Sequence, residues 1–229
     1  MANAKILGIR ACVFDAYGTL FDVHSAAGRC RDMLGEKSNA LSEAWRQKQL
    51  QYTWLRSLME AHEDFWHVTG DALDYAMASV GLDDPAIRKR LMDLYLSLEA
   101  YGEVPTVLRR LKQAGLATAI LSNGAPTMLE AAVQSAGIGG DLDHVLSIED
   151  VGIYKPDPRV YQLAVNSIGV QPAEICFLSS NAWDAHGAAH FGFRVAWCNR
   201  FGQPPERLPG QPDVEIRDLT ALPALLGLD

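Results

Sequence analysis

Ile9-Arg10-Ala11-Cys12-Val13-Phe14-Asp15-Ala16-Tyr17-Gly18-Thr19-Leu20 decides the fold. The run from Ile9 to Phe14 suits a short buried strand, Asp15 stops it, and Gly18 supplies a turn. The pattern then changes. From about His24 to Leu98 helix formers dominate, with Leu41, Trp45, Tyr52, Leu55 and Met59 at helical spacing behind Ser38 and Asn39 as cap candidates. Asp84-Pro85 reads as a further helix start. No strand pattern interrupts this stretch, so it reads as a helical insert.

Beyond Tyr101-Gly102 helices and strands alternate. Helices are expected over Val104 to Gly115, Pro126 to Ala136, Pro156 to Ile168 and Ala182 to Phe191. Strands are expected over Leu116 to Leu121, His144 to Ile148, Ile175 to Leu178 and Phe193 to Trp197. Such alternation predicts an α/β fold, a parallel sheet with helices on both faces joined by right-handed crossovers. Residues 1–20 and 100–229 would form the core and 21–99 an inserted α-helical cap. Ligands of open parallel sheets bind beyond the carboxyl ends of the strands. Polar residues gather there: Asp15 to Thr19, Ser122-Asn123, and Ser179 to Asp184. The insert leaves the first strand at that same end, where it can fold over the site.

The chain has 229 residues, 48% of them hydrophobic, and a net charge of −8, which fits a soluble globular protein. That charge argues against a broad nucleic-acid surface. No apolar run approaches the roughly 18 residues of a membrane span, and Met1 to Arg10 lacks a signal core, so a cytoplasmic protein is expected. Cys12, Cys30, Cys176 and Cys198 have no C-x-x-C spacing and read as free thiols.

Asp15-Ala16-Tyr17-Gly18-Thr19-Leu20 resembles the first motif of the haloacid dehalogenase superfamily. Ser122-Asn123, Lys155-Pro156-Asp157 and Ser179-Ser180-Asn181-Ala182-Trp183-Asp184 resemble its second, third and fourth motifs, in order along nearly the whole chain. Trp45-Arg46-Gln47-Lys48-Gln49 and Tyr52-Thr53-Trp54-Leu55-Arg56 are similar to the cap of the L-2-haloacid dehalogenases. The resemblance implies a Rossmann-like core with an inserted cap. Phosphatases of the superfamily usually place a second aspartate two residues after the nucleophile, where this chain has Tyr17. They also use acidic metal ligands where this chain has Ser179-Ser180. A leaving halide needs no proton donor, so these differences point to dehalogenation without a metal or other cofactor.

The resemblance further implies that Asp15 attacks C2 of a short L-2-haloacid and displaces halide, giving an ester that water then hydrolyses. Lys155 would keep Asp15 ionised and moderate its repulsion from Asp184. Arg46, with Asn123, would receive the halide. Ser122 and backbone amides near Tyr17 would hold the substrate carboxylate, and Thr19 would position Asp15. Asp184, helped by Ser179 and Asn181, would activate water, with Tyr161 supporting Lys155 or Asp184. Tyr17, Gln47, Phe65 and Trp183 would line the pocket. Plain structural roles are open to the same residues: a surface arginine, turn capping by Ser122, Asn123 and Thr19, and a first-turn helix aspartate. His186 and His190, four apart, are read as surface histidines. A magnesium phosphatase and a small-carboxylate binding protein without catalysis remain as alternatives. A homodimer through the aromatic-rich cap helices is expected, with no nucleic-acid or membrane partner. Gly202 to Pro212 reads as a surface loop.

Overall fold

The computed structural model describes residues 5–23 and 34–228. Strand β1 spans Ala11–Phe14. Among the described residues of the insert, three α-helices follow: α1 (Lys37–Leu58), α2 (Phe65–Ser79) and α3 (Pro85–Asp93). The chain continues as α4 (Val104–Gln113), β2 (Ala117–Ser122), α5 (Pro126–Ala136) and β3 (His144–Ser147). It then forms α6 (Pro158–Ile168), β4 (Ile175–Ser179), α7 (Ala182–Phe191) and β5 (Arg194–Cys198). Strand β6 (Val214–Ile216) and the short α8 (Leu222–Leu225) end the described chain.

The six strands form one sheet in the order β3-β2-β1-β4-β5-β6, and every neighbouring pair is parallel. All residues of β1 and β4 are buried, as required of strands covered by helices on both sides. Register places Phe14 beside both Ile120 and Leu178. The carboxyl ends of β1, β2 and β4 therefore lie within two residues of one another, and the residues that follow each strand share one edge of the sheet.

The insert has its own apolar cluster of Leu34, Leu41, Trp45, Ala72, Leu73, Ala76, Met77, Leu91 and Met92. The two chain crossings between sheet and insert are tied together: Asp22 N donates to Glu99 O at 2.9 Å and Tyr101 N to Leu20 O at 3.0 Å. Among the described residues no helix is long and apolar enough to cross a membrane.

Several boundaries differ from expectation. β1 starts at Ala11 rather than Ile9. Helix α1 starts at Lys37, with Glu36 at its N-cap, so Ser38 and Asn39 lie inside its first turn rather than capping it. Gly35, in the left-handed region at φ 53°, turns the chain just before. Helix α6 starts two residues after Pro156, because Asp157 accepts from Arg159 N and caps the helix ahead of Pro158. Asp84 caps α3 as the sequence implies, accepting from Ala86 N and Ile87 N. Cys12, Cys176 and Cys198 are buried free thiols. Cys30, the start of the insert at His24 and the N-terminus lie outside the described residues.

Candidate active site

Asp15 is the first residue past β1, and its backbone N–H donates to Leu178 O at 2.8 Å, which fixes it to β4. Both of its carboxylate oxygens are engaged. Thr19 Oγ1 donates to Oδ2 at 3.2 Å, and Asn181 Nδ2 donates to the same oxygen at 2.9 Å. Lys155 Nζ lies 3.2 Å from Oδ1. Thr19 in turn accepts from Ser180 N at 2.8 Å. Gly18, at φ 87°, bends the turn that brings Thr19 back onto Asp15.

Lys155 also lies 2.9 Å from Asp184 Oδ2. Tyr161 OH donates to the other oxygen of Asp184 at 2.8 Å. Lys155 and Asp184 are fully buried, so one ammonium stands between two carboxylates away from water. Burial alone would lower the lysine's pKa, but Asp15 and Asp184 overcome it and hold the ammonium above the ordinary lysine value. Burial raises the Asp184 pKa. Asp15 reinforces the rise, while Lys155 and the Tyr161 hydrogen bond oppose it. Tyr161 is raised by burial and by Asp184, so its phenol stays protonated and remains a donor. Helix α7 approaches Tyr161 closely because it carries Gly187, where a Cβ would stand 2.6 Å from the Tyr161 hydroxyl.

The insert contributes Arg46 on α1. Its Nη2 donates to Asn181 Oδ1 at 2.9 Å and its Nη1 to Gln49 Oε1 at 2.8 Å. Asn181 thus links the Arg46 guanidinium directly to Asp15. Tyr17 is buried, with its ring 6.1 Å from Phe65 and 6.0 Å from Tyr95. Burial, then Tyr95 and Asp15, raise the Tyr17 phenol well above its ordinary range, so it is neutral. Trp183 meets Trp54 of α1 edge to face at 5.4 Å.

The remaining sequence candidates sit close by with more local bonds. Ser122 Oγ accepts from Gly124 N at 3.0 Å, and Ser179 Oγ accepts from Asn181 N at 3.1 Å. Asn123 Oδ1 accepts from Lys155 N at 3.1 Å, tying the β2 end to the lysine. Gln47 is not brought into the cluster: it is exposed on α1, and Gln49 is the buried glutamine that holds Arg46. His190 is exposed, but His186 is buried, with Nδ1 3.2 Å from Leu208 O. The surface-histidine reading fails for His186 because the 202–212 loop packs on α7, where a Cβ at Gly210 would meet His186 O at 2.4 Å. Sequence reasoning missed Gln49, Trp54 and Tyr95. Gln49 lies one turn after Arg46 on the same helix, which was the available signal.

A family model described as haloacid dehalogenase-like hydrolase matches residues 9–192. The chain belongs to that family. It is 51% identical over 199 residues to (S)-2-haloacid dehalogenase 4A of Burkholderia cepacia, covering 86% of each chain. It is 48% identical over 215 residues to (S)-2-haloacid dehalogenase of Pseudomonas sp. (strain YL), covering 93% of each. Its fold matches the L-2-haloacid dehalogenase from Xanthobacter autotrophicus with chloropropionic acid covalently bound, at TM-score 0.88 and 38% identity over 95% of this chain and 98% of that one. The six-stranded parallel sheet is thus that of a haloacid dehalogenase-like hydrolase.

Proposed function

We propose that this protein hydrolyses short-chain L-2-haloacids to D-2-hydroxyacids and halide, through an ester on Asp15, with inversion at C2 and no metal. The observation that carries this reading is the Asp15 carboxylate, held by Thr19, Asn181 and Lys155, with the Arg46 guanidinium one hydrogen-bonded residue away. The names of the relatives point to the same reaction.

In the first step an Asp15 oxygen forms a bond to C2 while the carbon–halogen bond breaks, and the halide leaves with the electron pair. Thr19, Asn181 and Lys155 orient Asp15 through three fixed contacts, so little reorganisation is needed on attack. Arg46 and Asn123 receive the halide. Ser122 and backbone amides after β1 hold the substrate carboxylate. Tyr17, Phe65 and Trp183 enclose the apolar part of the substrate.

In the second step water adds to the Asp15 carbonyl carbon and the ester C–O bond breaks. The hydroxyacid departs with one water proton, and Asp15 keeps the water oxygen. Asp184 is the base for that water. Its raised pKa makes it a better base than an ordinary carboxylate, and Lys155 with Tyr161 keeps it in place. Ser179 fixes the backbone of Asn181.

The same reading divides the chain into a core of 1–20 and 100–229 and a cap of 21–99, supported by the separate apolar cluster in the insert. It makes the protein a cytoplasmic homodimer. Leu55 and Leu58 of α1, Met59 just past its end and Tyr75 of α2 are exposed large apolar residues on the cap and supply the surface for a second copy.

The test is halide release from each enantiomer of 2-chloropropionate with a chelator present, with a phosphate ester assayed in parallel without it. Halide from the L-form alone, unaffected by chelation, is the expected result. Magnesium-dependent phosphate release without halide would make the protein a phosphatase.

A further inference from the structure

Arg200 has no part in the reaction described above, yet its guanidinium is buried beneath the nucleophile loop. It follows β5 by two residues. Its Nη2 donates to the backbone carbonyl of Thr19 at 2.8 Å and pairs with Glu103 Oε1 at 2.7 Å. Its guanidinium carbon lies 3.8 Å from the centroid of the Tyr101 ring. These partners come from two separate places. Thr19 is in the turn that holds Asp15, and Tyr101 and Glu103 are in the chain that returns from the insert to the sheet. Glu103 is held further by Leu219 N at 3.5 Å.

We propose that Arg200 is a positioning residue that locks the nucleophile turn to the return crossing of the cap, and so sets the aim of Asp15. The chain of contacts is continuous. Arg200 fixes the Thr19 carbonyl, and the Thr19 hydroxyl holds Asp15 Oδ2. Tyr101 N, bonded to Leu20 O, closes the loop one residue beyond Thr19. A planar guanidinium suits the place because it donates to a carbonyl and a carboxylate together while its face lies on an aromatic ring. With Arg200 removed, the Thr19 carbonyl loses its buried charged donor and Glu103 its counter-ion, and the turn is free to shift. Nucleophilic attack is sensitive to small misplacements, with roughly 100-fold in rate for about 1 Å. Hydrolysis of an ester already formed depends on Asp184, which Arg200 does not touch.

The experiment measures two rates in single turnover with enzyme in excess: formation of the Asp15 ester, followed by mass spectrometry of quenched samples, and its decay. Arg200→Met, Arg200→Lys and Glu103→Gln are compared with the wild type, each rate expressed per folded enzyme. Arg200→Met is expected to slow ester formation roughly 10- to 100-fold while changing decay less than about twofold. Arg200→Lys keeps the charge and one nitrogen able to meet both Thr19 O and Glu103, but loses the planar face on Tyr101, so it should recover part of the loss. Glu103→Gln, which keeps an acceptor for Arg200, should fall between the wild type and Arg200→Met. Unchanged ester formation in Arg200→Lys and Glu103→Gln, with only a lower melting temperature, would overturn the proposal and leave Arg200 a structural residue. Equal slowing of both rates would overturn it too. If no variant or wild-type sample forms an ester, the fault lies with the reaction assigned to Asp15 and not with Arg200.

Discussion

Tyr161 donates its phenolic proton to Asp184 Oδ1 at 2.8 Å, on the side of the carboxylate opposite Lys155. Asp184 therefore has a neutral donor on one oxygen and a cation on the other. The neutral donor opposes the effect of burial on its pKa.

Tyr161→Phe removes that donor without removing the ring. The Asp184 pKa should rise further, so the acid limb of the kcat profile should move to higher pH. Ester hydrolysis should slow more than ester formation, and the Asp15 ester should accumulate in the steady state. Mass spectrometry of enzyme quenched during turnover reads this directly. An unmoved acid limb with no accumulated ester would remove Asp184 from its assigned role as base. The lost hydrogen bond to a buried acceptor should also lower stability by about 1–3 kcal/mol.

Gly187→Ala tests the packing behind the same pair. A methyl at Gly187 would stand 2.6 Å from the Tyr161 hydroxyl and 2.7 Å from Pro156 Cβ. Such overpacking costs about 1–3 kcal/mol. Tyr161→Phe removes the nearer of the two atoms, so the double variant should be more stable than the sum of the single losses. Urea denaturation of the two single variants and the double variant checks this cycle. Strict additivity would mean that Pro156, or the helix backbone, takes all the strain.

The broad plan of the molecule was legible because buried parallel strands are short apolar runs and each ends in polar residues. Helix α5 falls where proline at the start and glycine past the end place it, and α7 stops at Gly192. Strand β6 was not legible. It has three residues, Val214, Glu215 and Ile216, and carries no apolar run at all. Its place comes from pairing with β5 at the sheet edge. Of the site, Asp15, Thr19, Lys155, Asn181 and Asp184 were all marked from their motifs and do meet. Arg200 was hidden because its partners Thr19, Tyr101 and Glu103 lie far from it in the sequence. Gln47 and Gln49 flank Lys48 and look alike in the sequence, and the turn of α1 alone decides which of them is buried.

Lys155→Met leaves Asp15 and Asp184 facing each other without a cation. Removing one partner of a buried pair costs about 3–5 kcal/mol, and activity should fall to background. The pH dependence has a definite sign. The folded-state pKa of Lys155 lies above the ordinary 10.5, so the ammonium binds its proton more tightly in the folded protein. Its stabilisation is complete below that value and is lost as the pH rises through the higher folded value. The wild type should therefore lose stability more steeply above pH 10.5 than Lys155→Met does. Denaturant midpoints from pH 9 to about 11.5 provide the comparison. Parallel curves would show that the lysine's proton is no more tightly held in the fold than in the unfolded chain.

Arg46→Lys separates two ways in which the guanidinium can act. Its two outer nitrogens reach Gln49 and Asn181 at once, and an ammonium cannot keep both contacts in that geometry. If Arg46 stabilises the departing halide, its loss resembles the loss of a preorganised donor to developing charge, about 10²–10³-fold in kcat. The loss should then be larger for L-2-chloropropionate than for L-2-bromopropionate, since the poorer leaving group depends more on help. The ratio of bromide to chloride turnover should rise in the variant. If Arg46 serves only to hold Asn181 against Asp15, both substrates should slow by the same factor, because aiming the nucleophile is independent of the halogen. Single-turnover rates on the two substrates distinguish these cases, and an unchanged ratio would confine Arg46 to positioning.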